Sequence, residues 1–267
     1  MPQLAGDLLV SCLMVTKPAP VRLAMLERSI DAYCRQSHSN RELVILVDAA
    51  RDSEAVQIQT LVASLARNDI KVFLPPEKMS LGALRNLSWR RAKGQVICQW
   101  DDDDLNHPGR IELQLLALIG SGRPACYLQE IMQYFPREKC LYKLNFAVSP
   151  DGVAVNTLMC LRELKVKYPE SGPESVRGED AAIIPQIRHF GGYHALAGVA
   201  HLYIYCSHGS NTWDDGHHKM LAEKLAVSKG ILRRHEEELR DGLADLDFRG
   251  QSIVVMGRNG GAFNLLT

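Results

Sequence analysis

The segment Trp100-Asp101-Asp102-Asp103-Asp104 carries the densest chemistry in this 267-residue chain. Four adjacent carboxylates repel one another, and keeping them together costs stability unless a cation or several donors neutralise them. Alternate residues of an extended segment share a face. Asp101 and Asp103 are therefore expected to point the same way, where they could grip one hard divalent ion. Mg2+ or Mn2+ held by one or two carboxylates completes its shell with water and phosphate oxygens. The plainer alternative is a solvated acidic turn ahead of a helix, because a helical pattern begins at Pro108 and acidic groups favour that end. Context separates the two. Val96 to Trp100 is short and apolar, as a buried strand is, and it runs straight into the aspartates.

The elements that must hold this segment alternate along the first half of the chain. Leu8 to Val15 reads as a strand buried on both faces, broken by Thr16-Lys17-Pro18-Ala19-Pro20. Leu23, Leu26, Ile30 and Tyr33 recur at helical spacing over residues 21–37. Leu43 to Val47 is a second strand ending at Asp48, and Ile58, Leu61, Val62 and Leu65 mark a second helix. Ile70 to Leu74 is a third strand closed by Pro75-Pro76. Ser80 is placed to cap a third helix that Gly94 ends. Repeated strand–helix units imply an α/β fold: a Rossmann-like, mixed but mainly parallel sheet with helices on both faces. Such sheets bind ligands at the carboxyl ends of their strands, here Thr16, Asp48, Pro75 and Asp101 onward.

The second half is less regular. A helix is expected from Pro108 to about Ile119, then β-rich sequence over 125–161 that adds strands to the sheet. Residues 168–180 read as loop, followed by a helix from about Asp180 and a strand near 200–206. One long polar helix is expected over about 217–240, then the strand SIVVM and the glycine-rich tail GRNGGAF.

Composition narrows the function classes. Thirty-one Lys and Arg balance thirty-one Asp and Glu, which argues against a surface that grips nucleic acid non-specifically. No apolar run approaches the roughly 18 residues needed to span a bilayer. Met1 to Asp7 has no basic residue ahead of its apolar stretch, so it does not read as a secretory signal. The seven cysteines are odd in number, form no C-x-x-C pair and mostly sit in apolar segments. Buried reduced thiols in a cytoplasmic protein are the expectation. The turn after the first strand lacks the G-x-G-x-x-G of a dinucleotide oxidoreductase, and the chain has no G-x-x-x-x-G-K-[ST] loop.

Four segments together carry a family resemblance. QVICQWDDDDLNHPGRIELQ resembles the D-x-D-D signature and following Arg-Ile/Leu-Glu helix of family 2 glycosyltransferases with the glycosyltransferase-A fold. SCLMVTKPAP resembles that family's first strand and nucleotide-contacting loop, LVILVDAARD its second strand with a terminal Asp, and LGALRNLSWRRAKGQVI its Ala-Arg-Asn segment. In the second of these, Asp-Ala-Ala-Arg-Asp stands where the family more often has Asp-Asp-Gly-Ser. The resemblance covers roughly residues 7–215. It implies a catalytic domain over 1–215, with a nucleotide-sugar half at about 1–108 and an acceptor half at about 109–215, and a C-terminal helical appendage with a terminal strand over 216–267.

Carried over residue by residue, the resemblance implies that Thr16 and Asp48 contact the base and Arg85 the base and phosphate side. Asp101 would hold the ribose or a metal-bound water, and Asp103 the metal that bridges the diphosphate. Glu179-Asp180 resembles the family's Glu-Asp motif, in which the Asp is the general base and the Glu an orienting neighbour. Each residue also has a plainer role: Arg85 as a helix-surface cation, Asp48 as a turn former, Glu179 and Asp180 as a helix cap. His208, in Cys206-Ser207-His208-Gly209-Ser210-Asn211-Thr212-Trp213, would be a third metal ligand or touch the diphosphate. Trp213 would stack on a sugar face or simply pack its loop. His217 and His218 read as surface or supporting residues.

The implied activity is a metal-dependent, inverting transfer from a nucleotide diphosphate-sugar, UDP-sugar first among them, to an acceptor hydroxyl with Mn2+ or Mg2+. The acceptor would be a glycan, a glycolipid or another hydroxyl compound, as in surface-glycan assembly. Peripheral membrane contact and a homo-oligomer stay open. The chain lacks the Gln-x-x-Arg-Trp motif and membrane helices of processive synthases, so one transfer per encounter is expected. The competing class is a catalytically inactive relative that binds a nucleotide sugar or serves as a partner scaffold.

Overall fold

A computed structural model describes residues 6–49, 52–75, 77–248, 250–258, 260 and 262–266. Residues 1–5, 50 and 51 of the second-strand loop, Pro76, Arg249, residues 259 and 261 of the glycine-rich tail, and Thr267 lie outside it. The chain runs β1 (Val10–Thr16), α1 (Pro20–Cys34), β2 (Arg41–Val47), α2 (Asp52–Ser64), β3 (Ile70–Phe73), α3 (Leu81–Arg91) and β4 (Val96–Gln99). It continues through β5 (Leu105–Asn106), α4 (Arg110–Ser121), β6 (Ala125–Leu128), β7 (Glu130–Phe135), β8 (Cys140–Asn145) and β9 (Met159–Leu161). Then follow α5 (Glu179–Ala182), α6 (Ile184–His189), β10 (Tyr193–Leu196), β11 (Tyr203–Cys206), α7 (Asp215–Leu225), α8 (Lys229–Arg234), α9 (Glu236–Ala244), β12 (Ile253–Met256) and β13 (Ala262–Leu266).

The first sheet has the order β3-β2-β1-β4-β9-β6-β10 and is parallel except for β9, which runs antiparallel between β4 and β6. Alternation along its strands sorts side chains to two apolar layers. Cys12, Met14 and Ile45 pack with Leu26 and Ile30 of α1, Ile58 of α2, and Ile111 and Leu115 of α4. Leu13, Val44 and Leu46 face the other way, with Leu87 of α3 and Ile184 and Ile187 of α6. Helices on both faces explain why β1 and β2 read as unbroken apolar runs.

Several sequence expectations are corrected. The β-rich stretch does not all join the first sheet. β6 and β9 do, whereas β7 and β8 build a second, six-stranded sheet of order β13-β12-β8-β7-β11-β5. The C-terminal strands extend that sheet, with β12 parallel to β8 and β13 antiparallel to β12. β10 carried no apolar-run signal because all four of its residues are only half-buried. The helix expected from Pro108 starts at Arg110, after Gly109. The expected long helix is three. Ala226 turns extended and bridges Leu144, Val227 N–H donates to the Lys143 carbonyl, and Ser228 caps α8 by accepting from Ile231 N. Among the described residues no helix is long and apolar enough to cross a membrane.

One glycine positions the site directly. A Cβ on Gly82 would lie 1.9 Å from the Pro169 carbonyl oxygen. Its absence lets the loop leading to Glu179 lie against α3.

Candidate active site

The acidic quartet bends between β4 and β5, at the carboxyl edge of the first sheet. Exposure alternates, the side chains of Asp101 and Asp103 being 20% and 13% accessible, that of Asp102 only 4% and Asp104 fully buried, but Asp101 and Asp103, expected to face one ion together, lie in different side-chain groups. Asp104 is a structural tie. It accepts from Cys206 N at 2.7 Å and from the Tyr203 hydroxyl, joining the quartet to β11. Burial, with Asp103 and Asp101 nearby, pushes its pKa well above the ordinary carboxylate range.

Asp102 accepts from Thr16 Oγ1 at 2.5 Å and from both Nε and Nη2 of Arg22. Burial and the neighbouring Asp103 charge push its pKa up to about 6, against the pull of Arg22. Asp103 faces more open space. Its Oδ2 receives Arg22 Nη2 at 2.9 Å and lies 3.0 Å from His208 Nε2. Burial would raise its pKa, but the hydrogen bond from His208 and the charge of Arg22 outweigh this and hold it low. Ser210 lies against the other ring nitrogen, with its N 3.3 Å and its Oγ 2.9 Å from His208 Nδ1.

Asp101 belongs to a second group. Arg85 of α3 reaches it through Nη2 at 3.4 Å, donates Nε–H to Glu179 Oε1 at 2.9 Å, and holds Nε 3.4 Å from Asp180 Oδ1. Tyr203 OH lies 3.2 Å from Asp101 Oδ2. Gln99, the last residue of β4, donates Nε2–H to Asp180 Oδ2 at 3.2 Å. Burial pushes Asp180 up to about 8; Arg85 opposes this, and Glu179 and Asp101 add to it. Asp180 Oδ1 accepts no hydrogen bond among the described residues, because the single Nε–H of Arg85 is directed at Glu179.

The sequence candidates therefore fall into two clusters and two separate positions. Thr16, Asp103 and His208 meet around Asp102 and Arg22; Arg85, Asp101, Glu179 and Asp180 form the adjoining cluster. Asp48 sits half-buried at the end of β2, its N–H bonded to the Thr16 carbonyl at 2.8 Å. Trp213 joins neither cluster: it stacks on His217 at 4.4 Å, under the Arg177 guanidinium at 4.9 Å. His218 is not a surface residue but 3% exposed, near the Tyr205 hydroxyl.

Sequence reasoning missed Arg22, Gln99, Tyr203 and Arg110. Arg110 is fully buried between the rings of Trp100 and Tyr203, donating to the Gln99 carbonyl at 3.0 Å. Arg22 had a usable signal, since a cation in the first turn after a strand-end loop must lie over that sheet edge.

Among the described residues no three His, Cys, Asp or Glu side chains converge as a complete metal cage. Asp103 and His208 do present one carboxylate oxygen and one imidazole nitrogen together. That donor pair suits an ion such as Mn2+ that takes most of its shell from phosphate and water. The residues present fit such an ion.

Comparison with known proteins identifies the fold and the family. None of the curated proteins matches the chain. Solved structures do. The S. aureus TarS 1–349 structure superposes with a TM-score of 0.55 at 12% identity, covering 90% of this chain and 75% of that one. The same fragment in complex with UDP-GlcNAc gives 0.55 at 12% identity, covering 90% and 68%. The mannosyltransferase PcManGT from Pyrobaculum calidifontis, in complex with GDP-Man and Mn2+, gives 0.52 at 16% identity, covering 87% and 63%. These likenesses show the glycosyltransferase-A fold. A profile of glycosyl transferase family 2 matches residues 11–152, more than half of the chain, from β1 past the acidic quartet to the loop after β8. The chain therefore belongs to glycosyl transferase family 2 and is a glycosyltransferase.

Proposed function

We propose that this chain is a metal-dependent, inverting, non-processive glycosyltransferase that moves a sugar from a nucleoside diphosphate-sugar to an acceptor hydroxyl. A UDP-sugar is the first candidate donor, in keeping with the UDP-GlcNAc held by one structural neighbour. The observation that carries the reading is Asp180. Its carboxylate has one oxygen held by Gln99, the other without a hydrogen bond, and a pKa lifted to about 8 beside the strand-end carboxylate Asp101.

In the proposed reaction the acceptor oxygen attacks the anomeric carbon on the face opposite the diphosphate. The bond from that carbon to the diphosphate oxygen breaks, and its electron pair departs with the nucleoside diphosphate. Asp180 Oδ1 takes the acceptor proton. A positioned base of this kind contributes roughly 10² to 10⁴-fold in rate. Glu179 fixes Arg85, and Arg85 in turn keeps Asp180 from becoming still less acidic. Asp103 and His208 would hold the divalent ion, which supplies positive charge for the leaving diphosphate. Thr16 and Asp48 line the base end; residues up to about 108 form the donor half, and about 109–215 the acceptor half. The acceptor is a glycan, glycolipid or other hydroxyl compound met in the cytoplasm.

A panel of nucleotide sugars tests this, each scored for thermal stabilisation and for hydrolysis with and without Mn2+. A bound donor raises the melting temperature by mass action. The expected result is stabilisation and metal-dependent turnover with one donor class, with Asp180→Asn keeping the first and losing the second. Stabilisation without turnover in either form would favour the inactive binding protein instead.

A further inference from the structure

Arg22 stands where a cation is needed before any cofactor arrives. It lies in the first turn of α1, directly after the loop that closes β1. Its Nη2 bridges two carboxylates, Asp102 Oδ1 and Asp103 Oδ2, the latter at 2.9 Å, while Nε lies 3.4 Å from Asp102 Oδ2. The two contacts are unequal in setting. Asp102 is buried and also bonded to Thr16 at 2.5 Å, so it is a fixed anchor. Asp103 is the more open partner, and the oxygen that Arg22 touches is the one facing His208 Nε2.

We propose that Arg22 is an exchangeable internal counter-ion. It occupies Asp103 in the empty enzyme and passes to the donor diphosphate when the divalent ion takes that carboxylate. This rests on the reading of Asp103 as the metal-facing residue. A divalent ion on Asp103 Oδ2 displaces one N–H donor and brings two cations together, which disfavours binding of the ion alone. A diphosphate offers the displaced guanidinium new oxygens in the planar geometry it prefers. The anchor on Asp102 lets the side chain swing without leaving the site. Ion and donor then bind cooperatively, and by linkage each raises the affinity of the other by the same factor. Without its nucleotide partner, the protein keeps Asp102 and Asp103 partnered by one cation.

The test reads Mn2+ affinity, not turnover. Loss of the free aquo-Mn2+ signal in electron paramagnetic resonance is titrated for the full chain with and without UDP, in wild type, Arg22→Gln and Arg22→Lys. In wild type UDP is expected to tighten Mn2+ binding by about 10-fold or more. Arg22→Gln is expected to bind Mn2+ alone about 10-fold more tightly than wild type and to lose most of the UDP effect. Arg22→Lys keeps the charge, and with it the fold, but one ammonium cannot span both carboxylates; its affinity should fall between the two. Mn2+ affinity unchanged or weakened in both variants, with the UDP effect intact, overturns the proposal while leaving the metal site standing. Wild type that binds no Mn2+ even with UDP overturns the metal reading of Asp103 and this inference with it.

Discussion

Arg85 holds its Nε 3.4 Å from Oδ1 of Asp180 yet gives its Nε–H to Glu179 at 2.9 Å. Asp180 therefore feels the positive charge without having its lone pair occupied. The charge limits how far burial can raise the pKa, and the unoccupied oxygen remains able to accept a proton. Replacing Asp180 by Asn keeps the shape and the Gln99 contact but removes the base. We expect kcat to fall about 10² to 10⁴-fold while donor-induced thermal stabilisation persists.

The pH profile follows from the same residue. A general base works when deprotonated, and Asp180 is pushed up to about 8. In the free enzyme kcat/KM should rise with pH and level off above about 8. Stability should move the opposite way. An unfolded aspartate titrates near about 3.9, so between there and about 8 the folded state binds more protons and stability falls as pH rises. Asp102, raised to about 6, adds in the same direction. Melting temperatures of wild type and Asp180→Asn, compared at the two ends of that window, should show the variant's advantage growing toward alkaline pH.

Arg85 serves three carboxylates, Asp101, Glu179 and Asp180, and its side chain is 11% exposed. Arg85→Met leaves those charges without their common partner. Removing one member of a buried ionic group typically costs about 3–5 kcal/mol. Chemical denaturation should show a loss of that order, and the kcat/KM profile should shift to higher pH as Asp180 loses its nearest cation.

The aspartates are expected to differ sharply despite their adjacency. Asp103→Asn should raise the Mn2+ concentration needed for half-maximal turnover, and chelation should abolish wild-type turnover until Mn2+ is restored. Asp104→Asn should leave that concentration unchanged. Burial already favours the protonated form of Asp104, and an amide can still meet Cys206 N and the Tyr203 hydroxyl. Metal titration of the two variants under one donor concentration checks both outcomes.

Gly82→Ala tests the placement of the base-bearing loop. The added methyl would lie 1.9 Å from the Pro169 carbonyl oxygen, so either α3 or the loop must move. A lower melting temperature together with reduced kcat is expected, because the displaced loop carries Glu179 and Asp180.

The amino-acid sequence by itself determined the parallel strand–helix layout of the first half. Strands buried on both faces are written as apolar runs, and three of the four runs end at a polar residue at the ligand-binding edge: Thr16, Asp48 and Asp101. It also placed the acidic quartet at a strand end, because the apolar run it follows is a local pattern; the bend that sends Asp101 to Arg85 and Asp103 to Arg22 is not. Only the tertiary structure decided which cation meets which carboxylate. Arg22 lies 81 positions from Asp103, and Arg85 lies 94 from Glu179. Sequence spacing says nothing about pairings made across a sheet edge by separate helices. The second sheet was hidden for the same reason: nothing local in β7 or β8 says that β11 and β12 will flank them rather than the strands of the first sheet. The break at Ala226 that divides the expected long helix likewise depends on a bridge to Leu144, a partner that local propensity cannot name.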